Sequence, residues 1–92
     1  MNRTFRQNPR LEAAPLNEEV ILFDPTTLRF FLLNRTSTFV WNLLSTPNDA
    51  EALADEICRS FDEVDSGKAL DDVRAALDEM LSNELVVTAD GS

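Results

Sequence analysis

The carboxylates of this chain placed most suggestively for acid–base chemistry are two adjacent pairs, Asp71-Asp72 and Asp78-Glu79, and its strongest potential nucleophile is Cys58. General acid–base catalysis needs two groups converging on one substrate. Sequence neighbours on a helix point about 100° apart, so both pairs read as a solvated helix face. Cys58 follows Ile57 on a helix that must bury one side, and only Arg59 lies nearby to activate it. It reads as a core or boundary thiol. The chain holds no histidine, which removes an imidazole base and any His-based metal centre. A single cysteine excludes an internal disulfide, and Gly67 and Gly91 make no phosphate-cradling loop. No catalytic residue, metal site or cofactor is expected.

Charge and length narrow the classes further. Ninety-two residues make one domain with one small core and no room for a large cofactor. The apolar fraction of 43 % and charged fraction of 27 % are those of a folding chain. A formal charge of −9 argues against nucleic acid, whose phosphates need clustered Lys and Arg. The acids are concentrated in the second half, where residues 45–92 carry three basic side chains against thirteen acidic ones. Such a surface either serves to keep the protein soluble, the more common role, or prefers cationic or neutral partners. The first residues lack the apolar core of a signal peptide, and no apolar run approaches the ~20 residues of a membrane span. A cytoplasmic protein without membrane contact is expected.

The elements that would position a site follow from periodicity. Residues 1–9 hold only Phe5 to bury and read as a loose arm. Residues 10–14 form a weak strand that Pro15 ends. Residues 19–23 and 29–33 are strong strands rich in branched and aromatic side chains, joined by a turn in which Asp24 bonds the backbone ahead and Pro25 fixes φ. From Arg35 the period becomes helical, with Phe39, Val40, Leu43 and Leu44 on one stripe, Asn34 or Thr36 as N-cap, and Trp41 closing over the core. A second helix starts at Asn48, with Glu51 at capping-box spacing and Leu53, Ile57 and Phe61 inward. A third spans residues 68–82 with Leu70, Val73, Leu77 and Leu81 as its stripe and Asn83 as a left-handed C-cap. Residues 85–88 form a brief strand and residues 89–92 a frayed tail. The fold class is α+β: a three-stranded antiparallel sheet in chain order on a three-helix bundle, winged-helix-like, with residues 10–88 as one domain.

That order would normally suggest a third helix in the major groove. Here the helix carries Asp71, Asp72, Asp78, Glu79 and Glu84 against Lys68 and Arg74, so its acids would meet phosphates. The hairpin is the better candidate. In Arg29-Phe30-Phe31-Leu32-Leu33 one alternate set faces the helices while the other still carries large apolar side chains. Either another part of the chain or a homodimer partner covers them, or an extended peptide adds itself to the strand edge. The third helix supplies a second wall, through Ala69, Asp72, Ala76 and Met80 on one flank, or Arg74 and Asp78 on the other.

The run from Val20 to Leu44, with Leu33-Asn34 and Trp41-Asn42-Leu43-Leu44, followed by Asp72-Val73 and Leu85-Val86, resembles the PqqD-like family of RiPP recognition elements. The resemblance spans roughly residues 10–88. One departure is Glu84, where the family often has Gly. The resemblance implies a non-catalytic module that binds the leader of a ribosomal precursor peptide as an added strand beside residues 29–33, in a groove bounded by the third helix. It then implies delivery to a radical SAM protein or to a leader peptidase and cyclase, the lasso-peptide type being preferred. Monomer and homodimer are both compatible with it. The alternative is a structural domain that self-associates through its edge strand.

Overall fold

The computed structural model describes residues 3–61 and 65–89. The chain runs β1 (Thr4–Gln7), β2 (Glu12–Leu16), β3 (Glu19–Asp24), β4 (Arg29–Leu33), α1 (Arg35–Leu43), β5 (Asn48–Asp49), α2 (Ala50–Ser60), α3 (Ser66–Ser82) and β6 (Val86–Thr88). It is an α+β fold with three helices, but the expected single sheet is two. One has the order β2-β3-β4 and the other β5-β1-β6, all pairs antiparallel.

The β2-β3-β4 sheet is built as alternation dictates. Burial along β3 alternates, with Val20, Leu22 and Asp24 inward. Leu22 is fully buried, which contributes about 2 kcal/mol. Strand β2 extends to Leu16 and includes Pro15, rather than stopping before it, and all five residues are exposed. Proline survives there because β2 is an edge. The β3–β4 turn is clamped by Asp24, whose Oδ1 accepts from Thr26 N at 2.9 Å and whose carboxylate takes both Arg10 Nε and Arg10 Nη2. Burial pushes the Asp24 carboxyl up, but Arg10 and the N–H groups of Thr26 and Thr27 outweigh it and hold the group below the ordinary value.

The second sheet corrects the N-terminal arm. Phe5 is buried, and β1 sits between β5 and β6 in the centre of its sheet. Burying Phe5 is worth about 2 kcal/mol, more than the strand propensity of its polar neighbours takes away. Gln7 Nε2 donates to Trp41 O at 2.7 Å, which ties the segment to α1.

The helices start where a side chain can cap them. Asn34 Oδ1 accepts from Ser37 N and begins α1. For α2 the cap is Asp49, through Ala52 N, and not Asn48, which is drawn one residue back into the short β5 pairing with Phe5. Asp65 caps α3, so that helix starts at Ser66, two residues earlier than expected. The buried stripe of α3 is Ala69, Val73, Ala76, Leu77 and Met80, while Leu70 and Leu81 are only half-buried. The stripe is rotated because α3 packs on α1 as well as α2. At its end Glu84 N donates to Leu81 O and Leu85 N to Met80 O, a Schellman motif. The left-handed residue is Glu84, at φ 59°, while Asn83 stays at φ −95°.

Candidate functional site

Among the described residues strand β4 has one sheet neighbour, β3, and its other edge is open. The register fixes which backbone groups face that edge. Thr38 Oγ1 accepts from Val20 N at 3.1 Å and donates to Leu33 O at 3.3 Å, so Leu33 and Val20 aim their main-chain groups at each other. Alternation then turns the N–H and C=O of Phe30 and Leu32 outward. The side chains of Phe30 and Leu32 are 70 % and 61 % exposed. The opposite sheet edge, β2, is different in kind, because Pro15 withholds a donor from it. Of the two edges of this sheet, only β4 can offer an unbroken row of donors and acceptors.

A groove of two adjoining cavities runs beside β4. The first, of about 310 Å³, is lined by Phe30, Phe31, Leu32, Leu33, Asn34, Ser37, Glu79, Met80, Asn83 and Leu85. The second, of about 330 Å³, is lined by Asn34, Thr36, Ser37, Asp72, Ala75, Ala76 and Glu79. Both take one wall from α3 and share the start of α1. The first is largely apolar at its floor, where Leu33, Met80 and Leu85 are buried. The second is polar, with small alanines between two acids.

Eight of the nine residues expected from sequence lie on or next to this groove. Phe31 is half-buried in its lining and carries the Arg29 guanidinium at 5.0 Å from its ring. Phe30 stacks on Phe23 with ring centroids 4.7 Å apart. Phe30, Leu32, Leu33 and Met80 line the first cavity, and Asp72 and Ala76 the second. Ala69 is the correction: it is fully buried in the core and lines neither cavity. It sits one turn too far toward the helix start, on the stripe that α3 buries. The flank left open as a competitor, Arg74 and Asp78, lines a different cavity of about 270 Å³ with Arg3, Phe5, Ala50, Glu51 and Leu77.

Sequence reasoning missed Glu79, Ala75, Asn83, Asn34, Thr36, Ser37 and Leu85. A wheel centred on Asp72 and Ala76 would have reached Glu79 and Asn83, which lie three and seven positions beyond Ala76 on the same face. Nothing in the sequence pointed to Ser37, which arrives only because α1 starts beside the end of β4. Among the described residues no group of three or more His, Cys, Asp or Glu is placed to hold a metal ion. No buried side-chain nitrogen or oxygen among them lacks a partner. Cys58 is half-buried on α2 and lines none of the cavities described above.

A family model described as coenzyme PQQ synthesis protein D (PqqD) matches residues 19–86. Two solved structures share the fold. One is TbiB1 in complex with the TbiA(beta) leader peptide, with a TM-score of 0.80 and 24 % identity over 95 % of this chain and 98 % of that one. The other is a lasso peptide synthetase B1 complexed with the leader peptide, with a TM-score of 0.79 and 20 % identity over 90 % of this chain and 96 % of that one. No curated protein matches significantly.

Proposed function

Because the chain belongs to the PqqD family, whose model spans residues 19–86, we propose that it is a non-catalytic protein that captures a precursor's leader segment as an added strand and presents the precursor to a modifying enzyme. The observation that carries this reading is the open edge of β4 beside α3, with the main-chain groups of Phe30 and Leu32 turned outward. Main-chain bonds along that edge supply affinity for any extended peptide, and the side-chain cavities supply selectivity. Both solved fold relatives were captured with a leader peptide, which supports leader binding by this chain.

The remaining parts of the proposal follow from chemistry. The charged side chains lining the groove among the described residues are Asp72 and Glu79, and the chemical steps are assigned to a partner: a leader peptidase and cyclase of the lasso type, or a radical SAM protein. The helices and the β2–β3 hairpin are read as winged-helix-like, with the acidic α3 turned to peptide rather than to nucleic acid. No described helix is long and apolar enough to cross a membrane, in keeping with a cytoplasmic site of action. An affinity modest enough for release suits a carrier that must hand its cargo on.

The test is a titration with fluorescent leader peptides of lasso-type precursors, the TbiA(beta) leader first, followed by amide NMR. Saturable binding with shifts concentrated in Arg29–Leu33 and Ser66–Ser82 is expected. No binding, together with a mass that rises with concentration, would replace the proposal with self-association through β4.

A further inference from the structure

The charges around the groove select among peptides, an inference that rests on the peptide-binding reading above. Two acids, Asp72 and Glu79, are the charged side chains lining its two cavities among the described residues. Asp72 lies 3.8 Å from Lys68 Nζ in an exposed pair. Glu79 has no ion-pair partner among the described residues, and it is the acid shared by both cavities. The neighbouring cations are engaged with other groups, Arg29 with a ring of the groove lining itself. Arg29 lies over the Phe31 ring, Arg35 lies 5.1 Å over the Phe61 ring, and Arg74 lines the cavity on the other flank of α3.

A strand laid along β4 would cover Glu79 while its apolar side chains settled over Leu33, Met80 and Leu85. A wholly apolar ligand would strip water from that carboxylate and return nothing, and an acidic one would add like-charge repulsion. A cationic side chain placed there satisfies it with a charge-assisted hydrogen bond. We infer that the groove selects an extended segment that sets a Lys or Arg against Glu79 directly beside its apolar anchors, and that Glu79 is the residue determining this specificity.

A random-peptide display library selected separately on the wild-type protein and on Glu79→Lys tests this, with a recovered peptide then labelled and titrated. Wild type should enrich sequences with a basic residue next to apolar ones, and Glu79→Lys should enrich acidic ones instead. Glu79→Gln should weaken the wild-type peptide by about five-fold and Glu79→Lys by more than about ten-fold. Raising the salt should narrow those differences. Glu79 is exposed, so thermal melts of the variants should match wild type. Enrichment of apolar peptides with no preference in charge, or equal affinity for Glu79→Gln, overturns this inference and leaves the peptide-binding reading standing. Recovery of no peptide at all overturns that reading, and this inference with it.

Discussion

The side-chain amide of Asn8 donates a 2.8 Å hydrogen bond to the carbonyl of Glu84, 76 positions away in the chain. Asn8 also receives Arg10 N on its Oδ1 and gives its own N–H to Leu85 O. One buried side chain therefore joins the N-terminal segment to the left-handed residue that ends α3. Met80 near that end of α3 and Leu85 just after it form the floor of the groove, so the residue that follows β1 supports the site without lining it.

Asn8→Ala removes two side-chain hydrogen bonds and leaves the Glu84 carbonyl without its partner. A loss of about 1–3 kcal/mol is expected, read as a lower urea midpoint with an unchanged slope. A variant as stable as wild type would mean that these two bonds contribute little to the folded state.

Glu84→Gly should stabilise the protein. The φ of 59° at Glu84 is left-handed, where a side chain is strained and glycine is not. Part of the gain is returned because glycine loosens the unfolded chain, leaving a net gain of about 0.5–1 kcal/mol. Differential scanning calorimetry of the variant measures it, and a lower melting temperature contradicts the strain argument.

Asp24 makes the stability pH-dependent. Its carboxyl is held below the ordinary 3.8 in the folded state, so the unfolded chain binds the proton first as pH falls. Its stabilisation is complete above 3.8 and is lost as pH drops from there through the folded value. Urea midpoints of wild type and Asp24→Asn should differ at neutral pH and converge in acid. A constant difference between the two curves at all pH values would sink this assignment.

Leu32→Asp separates binding from folding. The side chain is exposed, so the melt should move little, while leader affinity should fall by more than ten-fold, or about 1.4 kcal/mol. Anisotropy with the labelled leader reads the second quantity. Cys58→Ala should leave that affinity unchanged, since the thiol lies away from the groove on α2.

Ala69→Leu is the complementary control. Ala69 is fully buried, so the larger side chain overpacks the core and costs about 1–3 kcal/mol. A chemical-denaturation curve shows this; a variant that kept its stability but lost leader binding would return Ala69 to the groove.

Local periodicity already determined a good deal. The alternation in residues 19–23 and 29–33 and the Asp24 turn depend on contacts a few residues apart, and the sequence carries them openly; for the first helix it narrowed the cap to Asn34 or Thr36, of which Asn34 is the one observed. The absence of a histidine and the acidic third helix likewise set the expectations of no imidazole chemistry and no nucleic-acid contact. The unusual demand of an apolar edge strand was legible for the same reason, since Phe30 and Leu32 alternate with Phe31 and Leu33.

What tertiary structure decided were the elements whose stability comes from distant partners. Thr4–Gln7 carries one apolar side chain, and only β5 and β6 make it a strand. The same pairing pulls Asn48 out of its capping position and hands that role to Asp49. On α3 the wheel left two flanks open and misplaced the buried stripe, because that stripe is set jointly by α1 and α2. The packed core leaves Ala69 buried one turn short of the groove and brings Glu79 to it. Hydrogen bonds close to their origin are written in neighbouring residues, whereas which side of a helix meets which strand is settled only when the whole core packs.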